Sequence, residues 1–416
     1  MSATIEKRNL SQEIIDVLRK TGSNSEALAK FEETQLPAAK SEEYKFFPAV
    51  RLLEKSFSTW PAAQASNFTT IDVAPFIPAG LQADVLVFLN GVWSEKLSQI
   101  KSKEFQIEKS AAKGDAVSND PFALLNASAI ESEVRVTVPA NTKATTPLVV
   151  VYVNDSSVQS SVSQSRLSVN LGADSSLSLI QRSHTVGQQA TFQNAVENIV
   201  VQSNAHLDYY KIQDDNTDVI QICNTSIRQM EASQVNTFTL TLAGQAIRNN
   251  LYIAIDGERC ESHFHGLYLL KGDTIADNHT AVDHLKPNSF SNEMYKGVMD
   301  ENSKGVFNGK IFVRPHAQKT NAFQSNRNIL LSDKATINTK PQLEIWADDV
   351  KCSHGCTTGQ LNEEAMFYLR ARGIPKDTAR AMLLYAFASE ALQNVPNAAL
   401  REYMDTLVSE RLHKDF

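Results

Sequence analysis

Two of the four cysteines fall in one tight run, Lys351-Cys352-Ser353-His354-Gly355-Cys356, directly after the acidic pair Asp348-Asp349. Thiolate sulfur and imidazole nitrogen are the donors that iron–sulfur clusters, zinc and copper take, and a loop bending at Gly355 could present both. A closed four-ligand site needs a second pair, and neither Cys223 nor Cys260 has a cysteine neighbour in sequence. The run therefore stays open to two readings, a metal or cluster site and an incidental thiol pair. Imidazoles recur upstream. His263-Phe264-His265 sets two of them on one strand face, as in metal-binding β-barrels, but Leu269 and Leu270 stand where such a site needs a carboxylate. These histidines read as structural or surface groups. His279 and His284, near Asp277 and Asp283, form a second polar cluster that could face the first across stacked rungs.

Other chemistries lack their minimal residues. Gly305-Val306-Phe307-Asn308-Gly309-Lys310-Ile311 has a Gly-Lys pair, but the spacing is wrong for a phosphate loop and no Ser or Thr follows the lysine. No Gly-x-Ser-x-Gly elbow and no His-Glu-x-x-His helix occurs, which removes esterase and zincin readings. No catalytic and no cofactor-binding residue is assigned, and the chain is expected to bind no nucleotide itself.

The elements that must position these groups change period twice. The first sixty or so residues read as helical. Asn9 or Ser11 can cap a segment carrying Leu10, Ile14, Val17 and Leu18, and Ser25 can cap a second through Ala27, Leu28 and Phe31. The aromatic stretch Tyr44-Lys45-Phe46-Phe47 reads as a packing anchor. From about Asp84 the period is two. Val85-Leu86-Val87-Phe88-Leu89 and Leu148-Val149-Val150-Val151-Tyr152-Val153 are buried runs, and short strands follow for two hundred residues without a helical stripe. Crossover helices are therefore disfavoured, and a β region this long suits a solenoid better than a sandwich or barrel. After Gly359 three helices return, the first closed by Gly373 and Pro375 and the last capped by Asn397. The expected division is a helical domain over 1–83, a β-helix core over 84–347 and a helical domain over 348–416.

At 416 residues the chain can bury a sizeable core without staples. Met1-Ser2-Ala3-Thr4-Ile5-Glu6-Lys7 carries no apolar signal stretch, and four cysteines with no 18-residue apolar run point to a reducing, cytoplasmic setting without membrane association. The formal charge of −7, with basic and acidic residues interspersed, argues against nucleic acid and for protein partners. A solenoid carbohydrate-active enzyme or a metal-dependent β-helix protein is the alternative class. It would need a groove with paired carboxylates.

Longer motifs narrow the reading. Lys340-Pro341-Gln342-Leu343-Glu344-Ile345-Trp346-Ala347-Asp348-Asp349-Val350 leading into the Cys352 run, then Gly359-Gln360-Leu361 and Phe367-Tyr368-Leu369-Arg370-Ala371-Arg372-Gly373-Ile374, closely resembles the SufB/SufD family of iron–sulfur cluster assembly proteins. Gly305-Val306-Phe307-Asn308-Gly309, Ala317-Gln318-Lys319-Thr320-Asn321-Ala322 and Asn328-Ile329-Leu330-Leu331 look like its core segments. Ser41-Glu42-Glu43-Tyr44-Lys45 and Val87-Phe88-Leu89-Asn90-Gly91 look like its N-terminal landmarks. The match is of the SufD type, since SufB-type chains carry a Glu-His-Glu-Ala run in place of Cys352-Ser353-His354-Gly355 and a cysteine near the position of Ser325.

This resemblance implies a mostly β fold, a right-handed parallel β-helix flanked by N-terminal and C-terminal helical domains. It implies a scaffold rather than an enzyme, pairing with a SufB-type subunit and docking a SufC-type ABC ATPase on the helices after Gly359. An iron–sulfur cluster would be held transiently at the interface with SufB, and the isolated chain could form a homodimer. By the same carry-over His354 and Cys352 are the metal-site residues at that interface. Cys356 departs from the family's usual small residue there, and reads as a third ligand or as a small buried thiol that packs like alanine.

Overall fold

The computed structural model describes residues 8–412, apart from 22–23, 39, 63–67, 69, 112–117, 131 and 216–217. Residues 1–7, whose sequence carries no apolar signal stretch, lie outside that set. From Leu148 onward, successive strands alternate between a ten-stranded and a nine-stranded sheet, and every neighbour within a sheet from there on is parallel. One turn of chain thus adds one strand to each sheet, giving a β-solenoid of about 8 turns. Strands reach 9 to 12 residues over this span, longer than the short apolar segments suggest, because polar lumen-facing residues continue the ladder past each apolar run. Glu261 sits beside Phe290, Phe290 beside Asn321, and Asn321 beside Lys351, while Ile275 sits beside Lys304 and Lys304 beside Thr336. The repeat length therefore differs from turn to turn, which hides a sequence motif.

Alternation along each strand separates two environments. Leu167, Val169, Leu171, Leu177, Leu179, Ile199 and Val201 fill the lumen. The opposite faces are covered by helices. On the nine-stranded sheet, Phe192, Ile220, Ile222 and Ile275 meet α1 (Leu10–Thr21), α2 (Ser25–Thr34), α3 (Ala49–Ser56) and α4 (Pro121–Ala129). Beyond α5 (Glu363–Ala371), α6 (Lys376–Leu392) and α7 (Ala398–Arg411) lay Leu384, Ala388, Leu392, Leu400, Met404 and Val408 on the outer face of the ten-stranded sheet, over Val149, Val151, Val153, Ile212 and Leu240. Each fully buried Leu, Val or Met in that layer contributes roughly 1.5–3 kcal/mol relative to exposure. Coverage on both faces is why Leu148–Ser156 opens with a continuous apolar run.

Caps follow the sequence with one shift. Asn24, not Ser25, caps α2 by accepting from Ala27 N at 3.0 Å, while Asn9 accepts from Gln12 N at 3.2 Å and Asn397 from Leu400 N at 3.0 Å. α4 has no counterpart in the sequence reading. All its residues from Phe122 to Ser128 are buried, so it carries no amphipathic stripe, and only Asp120 and Pro121 mark its start. No helix among the described residues is long and apolar enough to cross a membrane.

Candidate functional site

The Cys352 run is a strand rather than a loop. Lys351–Gly359 closes the ten-stranded sheet, in parallel register with Asn321–Leu330 at Ala322↔Cys352, Gln324↔His354 and Asn326↔Cys356. The ladder thus runs on to Gly359. Gly355 has no positive φ, and a Cβ there would meet nothing within 4 Å, so it is not a bend. Its composition is turn-like because both faces of the strand are exposed apart from the half-buried Cys352, so burial imposes no apolar alternation.

Alternation places Cys352, His354 and Cys356 on one face, in step with the buried, lumen-directed Ala322, Gln324 and Asn326. The last turn has nothing beyond it to cover these groups. Cys352 is partly buried against the lumen cluster, and burial pushes its thiol pKa up. His354 and Cys356 are exposed, so a buried, alanine-like Cys356 is not what the structure contains. Residues two apart on a strand lie about 6.5–7 Å apart along its axis. Metal–ligand bonds of about 2.0–2.3 Å cannot gather all three such donors around one ion, so a single ion would need its remaining ligands from elsewhere. Among the described residues no group of three or more His, Cys, Asp or Glu is arranged to hold a metal ion. The strand's outer edge is unpaired and carries no proline, and Lys351 is its single lysine or arginine, so it lacks the usual devices against strand addition.

The other histidines do different work. His263 and His265 stack at 6.2 Å on the outer face of the ten-stranded sheet. His263 Nε2 lies 3.0 Å from Glu261 Oε1, and burial next to His263 drops His265 to about 4. His279 is on the outer face of the other sheet, 3.0 Å from Asp277 Oδ1, and His284 points into the lumen, 2.9 Å from Ser291 Oγ. The two histidine clusters therefore do not face one another. His279 belongs to an anchor for the N-terminal segment. Arg248 donates to Asp277 at 2.6 Å and to the Glu43 carbonyl at 2.8 Å, and lies 3.9 Å over the Tyr44 ring, whose hydroxyl donates to Asp120 at 2.6 Å. Tyr44 and Phe47 are buried as an anchor requires, while Phe46 stays partly exposed.

Beneath the candidate donors lies a carboxylate that sequence reading missed. Glu293 faces the lumen one strand below Gln324, accepts from Gln324 Nε2 at 2.6 Å, and is lifted by burial to about 7. Its only sequence signal is a polar residue on the inward parity, visible once register is known. A folded-state value above the unfolded 4.5 means stability is lost as pH rises from the unfolded value through about 7. Glu293→Gln removes that loss. Its unfolding free energy should exceed that of the wild type by about 1–3 kcal/mol more at pH 8 than at pH 4, read from denaturant titrations. An equal difference at the two pH values would refute the assignment.

The sequence matches a known family. The family model described as SUF system FeS cluster assembly, SufBD core domain, matches residues 152–387. An iron-sulfur cluster assembly SufBD family protein of Synechocystis is 31% identical over 406 residues, spanning 91% of this chain and 88% of that protein. The iron-sulfur cluster assembly protein SufD of Escherichia coli is 27% identical over 385 residues, spanning 91% and 90%, and that of Bacillus subtilis 22% over 325 residues, spanning 77% and 74%. The chain belongs to the SufB/SufD family of iron–sulfur cluster assembly proteins. It is of the SufD type, the name that the E. coli and B. subtilis relatives carry.

Proposed function

We propose that this chain is a non-enzymatic scaffold subunit of a cytoplasmic SUF complex, joined to a SufB-type subunit along the open edge of Lys351–Gly359. The observation that carries this reading is an unpaired terminal strand with Cys352, His354 and Cys356 on one face and too few converging donors to close a site alone. Strand addition at such an edge uses backbone hydrogen bonds for affinity. It would bring the partner's donors beside His354 and Cys352, where a nascent iron–sulfur cluster, the cargo, is held and passed on. A second copy of the chain could pair at the same edge when no SufB-type subunit is present.

Nucleotide hydrolysis then falls to a SufC-type ATPase docked on the C-terminal helices. α5 buries none of its residues and exposes Phe367 and Tyr368. Co-expression with SufB-type and SufC-type subunits should yield one complex that contains iron and sulfide, with ATP turnover absent from the isolated chain. Hydrolysis by the chain alone, or its failure to co-purify with either subunit, would overturn the division of labour.

A further inference from the structure

The lumen holds a lysine against a thiol. Lys211, on His206–Asp214, and Cys223, on Val219–Gln229, point inward from facing sheets in the same turn. Both are buried, and Lys211 Nζ lies 3.0 Å from Cys223 Sγ and 3.3 Å from Thr225 Oγ1. Glu197 is the carboxylate of this cluster. Its Oε2 accepts from Thr225 Oγ1 at 2.8 Å and from the Tyr209 hydroxyl, and lies 3.8 Å from Cys223 Sγ, while Oε1 accepts from Tyr152 at 3.0 Å. The ammonium therefore meets a thiol and a hydroxyl directly and its counter-charge at one remove. The cluster-assembly edge does not use these groups. Cys260, the other buried thiol, bonds to the Met230 carbonyl at 3.1 Å and accepts from the Ser233 hydroxyl at 3.7 Å.

We propose that Lys211 and Cys223 are a redox modification site at which dioxygen forms a covalent Nζ–O–Sγ bridge across the lumen. The gap suits one bridging atom better than a direct nitrogen–sulfur bond, which would draw the sheets much closer together. Thr225 links the ammonium to Glu197, so the third ammonium proton passes along that path to the carboxylate. One N–H bond and the S–H bond are then exchanged for N–O and O–S bonds. Nitrogen and sulfur give up two electrons each, and dioxygen takes all four. One oxygen atom stays as the bridge and the other leaves as water with the two displaced hydrogens. A buried thiol is shielded from charged or bulky reagents, whereas dioxygen is small and uncharged, which fits it as the oxidant. Reduction by two dithiols restores the amine, the thiol and a second water.

The test uses the full chain, purified without oxygen and divided between argon and air. In air the intact mass should rise by one oxygen less two hydrogens, and trypsin should no longer cut after Lys211. After denaturation Cys223 should resist alkylation while Cys260 accepts it, and a dithiol should reverse all three changes. Cys223→Ala should show no such mass gain. Full alkylation of Cys223 in the air-held protein, or Cys223 oxidised to a sulfinic acid with Lys211 still cleaved, would overturn the proposal. The wild-type mass decides the matter even where a buried variant folds poorly.

Discussion

His354→Ala should lower the iron and sulfide content of an anaerobically purified complex by about tenfold or more while the subunits stay associated. The two effects separate because of where the imidazole sits. Strand addition along Lys351–Gly359 is a backbone interaction, and an exposed side chain on the site face adds little to it. Among the described residues no group of three or more His, Cys, Asp or Glu is arranged to hold a metal ion, so a lost donor would have no substitute from this chain. Cys352→Ser should lower cluster content by a similar or smaller amount, since serine keeps the size but not the soft sulfur. The structure changes what is expected of Cys356. As an exposed thiol in line with the other two, it should also cost cluster when replaced by alanine, which a packing role would not predict. Unchanged iron and sulfide in the His354 variant would show that the strand is structural.

The second large effect concerns the ATPase. Phe367→Ser combined with Tyr368→Ser should abolish co-purification of a SufC-type subunit, with affinity falling by about 30-fold or more, as when an aromatic anchor is removed from an interface. Phe367 and Tyr368 are 75% and 58% exposed, and α5 has no buried residue, so the isolated variant should keep its circular dichroism and its thermal midpoint. Truncation before α5 would be a poorer test. It would also strip α6 and α7 from the ten-stranded sheet, baring Val151, Ile212 and Leu240 and removing the Glu390 partner of Lys296. Retained ATPase binding in the double variant would move the docking surface elsewhere.

Much of this architecture is written in hydrophobic period. Asp84 opens the first strand, the apolar runs are strands, and the caps at Asn9 and Asn397 stand where the pattern puts them. What escaped the sequence has physical causes. α4 is buried all round, so it has no stripe to detect. The Cys352 run sits at an open end, where burial imposes no alternation. Register is set by turns of unequal length, and without it the inward polar residues Glu197, Lys211 and Glu293 look like ordinary surface positions. Cys352 and His354 stand out as candidate donors by residue type alone. Their shared face does not, because it depends on pairing with Ala322 and Gln324.

The open edge behaves as a ruler with a two-residue division. A strand that joins Lys351–Gly359 can set its own donors beside His354 only in registers that differ by two, since a slip of one residue sends every side chain to the opposite face. A partner that binds but slips by one would hold the complex together and leave the cargo without ligands. On the proposed pairing, selecting the right partner and seating the cluster would be one geometric event.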